Sequence, residues 1–151
     1  MLCKDLMKLD VECVSPQTSI RDAARKMRDQ NVGFLPVCDE KKRVVGTVTD
    51  RDIAIRVMAE DQPGTTPVGA VLTPEVIACR PEDDLDYARE LMSRHRKSRI
   101  MCISYTGRIE GVISLSDIAQ LDEEEGGRTL REVSARESRP HGDGQEWALP
   151  I

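Results

Sequence analysis

Two short stretches of this 151-residue chain hold the side chains best suited to chemistry. Gly46-Thr47-Val48-Thr49-Asp50-Arg51-Asp52 sets a hydroxyl three residues, and an aspartate six residues, after a glycine. Gly111-Val112-Ile113-Ser114-Leu115-Ser116-Asp117 repeats that spacing. Each stretch closes a β-branched apolar run and opens a segment with helical character. Thr49-x-x-Asp52 and Ser114-x-x-Asp117 fit a capping box, in which the hydroxyl accepts from the N3 amide and the acid reaches back to the N-cap amide. The glycine would then only mark close backbone packing or a bulge. The same geometry also suits a nucleoside phosphate. A helix N-terminus offers free amides and positive potential to a phosphate, and an N-cap hydroxyl can add a hydrogen bond. An ionised carboxylate one turn later can accept from both hydroxyls of a ribose. Both readings stand at the level of the motif.

A duplicated unit positions these loops. Laid on itself at an offset of 65, the chain aligns without a gap over residues 11–54, with identities that include Pro16/Pro81, Ala23/Ala88, Met27/Met92, Gly46/Gly111, Asp52/Asp117 and Ile53/Ile118. The matches fall at equivalent places in the element pattern, so the chain reads as an internal repeat. In each copy a short apolar piece (Leu6-Met7; Val71-Leu72) precedes a brief strand at residues 12–14 or 76–79. A helix follows. In the first copy Ser19 and Asp22 form a capping box ahead of Ile20, Ala23, Ala24 and Met27; in the second, Leu85, Ala88, Leu91 and Met92 make the stripe. Two strands come next, 34–38 with 44–49 and 100–104 with 108–114, and a closing helix at 51–58 or 115–121. The order is β-α-β-β-α. The expected organisation is residues 1–60 for the first repeat, a Pro- and Gly-bearing linker at 61–67, the second repeat at 68–121, and an acidic, flexible tail at 122–151. Within that tail, residues 128–137 suit a short helix with Leu130 and Val133 on one face, and Trp147 and Leu149 are expected to be disordered.

Composition narrows the function classes. Hydrophobic residues make up 39% of the chain but only four are aromatic (Phe34, Tyr87, Tyr105, Trp147), too few for base-stacking platforms. The net charge of −5 sits mostly beyond residue 121, where eight acids face four bases. The nearly neutral body argues against nucleic-acid binding. No apolar run approaches 18 residues and no signal peptide is evident, so neither a membrane nor export is expected, and the location reads as cytoplasmic. The five cysteines lack C-x-x-C spacing and have only His95 and His141 for company, so no zinc site is expected. Cys38, Cys79 and Cys102 stand where the other copy has an aliphatic residue and read as core filling. In the basic run Arg94-His95-Arg96-Lys97-Ser98-Arg99, Arg94 and Arg96 suit the C-terminal dipole of the preceding helix. No nucleophile, metal or P-loop motif is present, so no catalysis is expected.

The repeat resembles the CBS domain, the regulatory module named after cystathionine β-synthase, and the tandem is similar to the pair called a Bateman module. Phe34-Leu35-Pro36-Val37 before Asp39-Glu40, then Val45-Gly46-Thr47-Val48-Thr49-Asp50-Arg51-Asp52-Ile53, carry the likeness in the first copy. Glu110-Gly111-Val112-Ile113-Ser114-Leu115-Ser116-Asp117-Ile118 and Leu72-Thr73-Pro74 carry it in the second, so that it spans about residues 4–121. The second copy departs with Ile100-Met101-Cys102 where the family shows Leu-Pro-Val. The resemblance implies an α+β fold with two repeats packed pseudo-symmetrically through their sheets, and a homodimer. It implies a non-enzymatic sensor without a cofactor, binding an adenosine ligand (AMP, ADP, ATP or S-adenosylmethionine) between the repeats and acting on an unidentified protein target. A ligand-free dimerisation module is the alternative. Asp52 and Asp117 would bind ribose, Thr49 and Ser114 phosphate, and Thr47 and Val112 the base or sugar. Each cleft would borrow backbone from the other repeat: Thr73, Val76 and Ile77 beside Asp52, and Lys8, Glu12 and Cys13 beside Asp117. Val32, Gly33 and Phe34, with their counterparts Lys97, Ser98 and Arg99, would line the walls. Lys8 stands where Thr73 stands, so the clefts are unequal, and the Asp52 side suits a multiply charged phosphate better.

Overall fold

The structure, a computed structural model, describes residues 1–121 and 131–135. Two antiparallel hairpins form its scaffold, β1 (Phe34–Cys38) with β2 (Val44–Thr49) and β4 (Arg99–Ile103) with β5 (Ile109–Ser114). Their registers match residue for residue at the offset of 65: Phe34 faces Thr49 as Arg99 faces Ser114, and Val37 faces Gly46 as Cys102 faces Gly111. Both carry a register shift at the same place, Val37/Cys38 and Cys102/Ile103. Ahead of each hairpin runs a helix of 11 residues, α2 (Ile20–Gln30) and α4 (Leu85–His95). Each helix ends on a left-handed residue, Asn31 or Arg96, whose N–H bonds back to the last turn.

The strands before the helices are shorter than the expected 12–14 and 76–79. In the second repeat, β3 (Ala78–Cys79) pairs parallel to β4; in the first, a single bridge joins Val14 to Val37. Pro36 accounts for the difference. It stands where Met101 pairs with Ala78, and it has no N–H to extend the ladder. The Ile-Met-Cys departure therefore lengthens the second sheet. At α2, Ser19 accepts from the Asp22 N–H at 3.1 Å, but the Asp22 carboxylate turns to Arg25, so the cap is one-sided rather than a box. The closing helices also differ from expectation. The first starts at α3 (Asp50–Asp52) and continues as a π-helical segment over Ile53–Met58, whereas α5 spans Leu115–Ala119.

The apolar pieces that open each repeat cross over. Val68 and Val71, with Leu72, pack into the first repeat's core of Ile20, Ala23, Met27, Leu35, Val37, Val48 and Val57. Cys3, in α1 (Cys3–Leu6), packs with Leu6 and Met7 into the second core of Leu85, Ala88, Met92, Ile100, Ile113 and Ile118. Backbone bonds mirror the exchange: Thr47 and Thr73 trade two bonds of 2.9 and 2.8 Å, and Lys8 and Val112 trade two of 2.9 and 3.0 Å. Each repeat thus completes its partner's core, which fixes the two about an approximate twofold axis near the Arg43–Arg108 bridge. Four of the five cysteines are buried, Cys79 and Cys102 facing each other across the β3–β4 pair; Cys13 is half-buried, its sulfur 2.7 Å from that of Cys38. Within the expected tail, residues 131–134 are helical and Val133 packs on the second core. Leu130, Trp147 and Leu149 lie outside the described residues.

Candidate functional site

The motif loops adopt complete capping boxes. Thr49 Oγ accepts from the Asp52 N–H at 3.1 Å while Asp52 Oδ2 accepts from the Thr49 N–H at 3.0 Å; Ser114 and Asp117 do the same at 3.2 and 2.9 Å. These bonds hold each aspartate nearly buried, at 9% and 6% exposure. The glycine at the head of each motif lets the crossing segment come close. A Cβ on Gly46 would lie 2.6 Å from the Thr73 carbonyl oxygen, and one on Gly111 would meet Met7 and the Lys8 carbonyl at under 3.0 Å.

Around Asp52 the structure gathers a cleft of about 530 Å³, within the range of small-molecule sites. Of the residues singled out in the sequence, Gly33, Phe34, Thr47, Thr49, Asp52, Thr73, Ile77, Lys97, Ser98 and Arg99 all line it. Val32 does not; it packs on the first core. Val76 faces a different cavity, beside Cys79 and Arg80. The reason is strand alternation: Thr73, Glu75 and Ile77 point to one side of the extended segment and Val76 to the other. Cys13, the counterpart of Ala78 on that other side, likewise turns its thiol to Cys38.

Sequence reasoning missed Asp50, Arg51, Glu75, Arg96, Met101 and Val133 as lining residues. Period-two alternation from Thr73 and from Arg99 would have found Glu75 and Met101. Arg96, assigned to the helix dipole, sits instead on the cleft wall, whereas Arg94 pairs with Glu90 on α4. Four cations therefore face three acids, Asp50, Asp52 and Glu75. None of Arg51, Arg96, Lys97 and Arg99 has a carboxylate partner among the described residues.

The two aspartates differ in their remaining contacts. Asp52 Oδ1 has Thr73 Oγ at 3.3 Å and Arg56 Nε at 3.9 Å, both long. Asp117 Oδ1 holds the Lys8 ammonium at 2.8 Å, and Oδ2 takes the Ser114 hydroxyl at 2.6 Å. Burial pushes the Asp117 carboxyl up, but Lys8 and the two Ser114 donors more than offset it, and its pKa is held below the ordinary carboxylate value. Glu12, expected beside Asp117, pairs with Lys26 at 3.0 Å and with Gln30 on α2.

The CBS domain family matches residues 3–59 and 68–124, two copies in tandem over the span just described. The chain belongs to the CBS-domain family. As a CBS pair it is 36% identical over 133 residues to the CBS domain-containing protein YhcV of Bacillus subtilis, an alignment covering 87% of this chain and 94% of that one. Among solved structures it resembles the CBS domain pair of protein MJ0100 in complex with 5′-methylthioadenosine and S-adenosyl-L-methionine. That likeness has a TM-score of 0.73 at 25% identity and covers 83% of this chain and 98% of that one. It also resembles Hypoxic Response Protein I with two coordinated zinc ions, with a TM-score of 0.73 at 28% identity over 80% and 98% of the chains. Among the described residues here, no group of three or more His, Cys, Asp or Glu side chains is placed to hold a metal ion. No helix among them is long and apolar enough to cross a membrane.

Proposed function

We propose that this CBS pair is a non-enzymatic sensor that binds an adenosine phosphate in the Asp52 cleft and passes occupancy on as a change in shape or partner affinity. The observation that carries this reading is the meeting, in one cavity, of a nearly buried carboxylate with an acceptor oxygen to spare, a hydroxyl beside it, and four cations without carboxylate partners among the described residues. A ribose needs the first, and a phosphate chain needs the others. That the related MJ0100 pair takes two adenosine compounds supports the adenosine class. Because residues from both repeats line the cleft, a ligand there interacts differently with each relative position of the repeats, which is the requirement for shifting an equilibrium. A second copy of the chain is the natural first partner in this reading, with Ile55 and Met58 offering exposed apolar surface next to the motif helix.

Complete capping boxes are also what a purely structural motif would show. A thermal-shift panel separates the two. AMP, ADP, ATP and S-adenosylmethionine at concentrations far above a micromolar Kd should raise the Tm by mass action, and Asp52→Ala should remove the rise. A flat response to the whole panel would support the ligand-free module.

A further inference from the structure

We infer that Lys8 blocks a ribose from Asp117, so that the chain takes one adenosine ligand rather than two; this rests on the reading of the Asp52 cleft above. The two sites are built on the same backbone. Thr47 exchanges paired bonds with Thr73, and Val112 with Lys8, so residues 73 and 8 are presented to their aspartates from equivalent positions. Only the side chains differ. Thr73 is short and neutral and stands 3.3 and 3.4 Å from the two Asp52 oxygens, leaving Oδ1 with acceptor capacity. Lys8 reaches across to Asp117 Oδ1 at 2.8 Å, a charge-assisted bond of ideal length.

The other ligand-facing group is spent as well. The Ser114 hydroxyl donates to Asp117 Oδ2 at 2.6 Å, while at the Asp52 site the Thr49 hydroxyl oxygen has, among the described residues, only the Asp52 N–H as a partner. Leu115 replaces Asp50 and is buried, and Glu12, which replaces the cleft-lining Ile77, is held by Lys26. A ribose entering at Asp117 would have to displace the Lys8 ammonium, whose side chain is 70% exposed, from a carboxylate that is only 6% exposed and would lose its charge partner. A ribose entering at Asp52 displaces a long hydroxyl contact and meets an Arg56 guanidinium that stands 3.9 Å off. Lys8 is thus a specificity residue: its ammonium occupies the place a ribose diol would take, and it sets the stoichiometry.

The test is isothermal titration calorimetry with AMP on the full chain, comparing wild type with Lys8→Thr, which copies the other site. The expected result is one additional site per chain in Lys8→Thr. Lys8→Arg, which keeps the ion pair, should add none. Lys8→Gln removes the charge while keeping the stem's length, and it should also add a site if the threonine variant folds poorly by circular dichroism. The same number of sites in wild type, Lys8→Thr and Lys8→Gln would overturn the inference, whether that number is none, one or two. The reading of the Asp52 cleft fails separately, if Asp52→Ala leaves wild-type binding intact.

Discussion

Replacing Gly46 by alanine should cost about 2–6 kcal/mol of stability and disable the Asp52 cleft. The new methyl would lie 2.6 Å from the Thr73 carbonyl oxygen, 2.8 Å from Leu72 Cδ1 and 3.3 Å from the Thr73 carbonyl carbon. Leu72 can rotate away, but the carbonyl cannot, because it accepts from the Thr47 N–H at 2.9 Å while the Thr73 N–H donates to the Thr47 carbonyl at 2.8 Å. Relief requires the crossing segment to move back, which strains two backbone bonds worth roughly 0.5–1.5 kcal/mol each. The overpacking adds roughly 1–3 kcal/mol. The same displacement carries Thr73 and Ile77 off the cleft. Urea denaturation at 25 °C should show a lower midpoint at unchanged m, and AMP should no longer raise the Tm. Gly111→Ala provides the internal comparison. Its methyl meets the Met7 side chain at 2.8 Å and the Lys8 carbonyl at 2.9 Å, and methionine yields more readily, so the loss should be smaller. A loss below about 0.5 kcal/mol in Gly46→Ala, with AMP binding preserved, would refute the claim that close backbone approach is the glycine's purpose.

Two further outcomes follow from the electrostatics of the two sites. The depressed pKa of Asp117 contributes stability that is fully present above the ordinary carboxylate value near pH 4 and is lost as the pH falls through the lower folded value. Asp117→Asn should therefore flatten the acid limb of the stability curve below about pH 4; an unchanged slope in urea melts across that range would contradict the Lys8 pairing. On the other side, Lys97→Ala with Arg99→Ala should weaken ATP by roughly 1.5- to 5-fold per cation, the scale of partly exposed ion pairs, and AMP by less. Calorimetry at two salt concentrations checks this, since the difference between the nucleotides should shrink as salt rises.

Much of this molecule was legible because the repeat supplied its own control. A single Thr-x-x-Asp is compatible with a plain cap, whereas two in register, each after a glycine that admits a crossing segment, specify a shared scaffold. The hairpins followed from β-branched runs broken by turn residues, and ten of the cleft residues followed from the family pattern. What escaped has a physical reason in each case. Pro36 shortens a ladder through one missing N–H, which strand propensity does not register. The exchange of Val68 and Val71 for Cys3 and Leu6 between cores is a choice among equally apolar surfaces, decided by tertiary packing. Arg96 looked like a dipole partner because its helix was visible and its left-handed cap was not; that cap turns the chain toward the cleft. The difference between Asp52 and Asp117 was visible as Thr73 against Lys8, but only the 2.8 Å contact gave it a consequence.

The central claim is that Asp52 accepts from a ribose, and a double comparison tests it most directly: AMP against 2′-deoxy-AMP, on wild type and on Asp52→Ala, by calorimetry. Loss of one hydrogen bond to a carboxylate costs roughly 1.5–3 kcal/mol, or about 10- to 150-fold in affinity. The account predicts that the deoxy nucleotide binds wild type at least about tenfold more weakly than AMP and that Asp52→Ala binds the two alike. Equal affinity of wild type for both nucleotides, or an undiminished preference for AMP in Asp52→Ala, would contradict it.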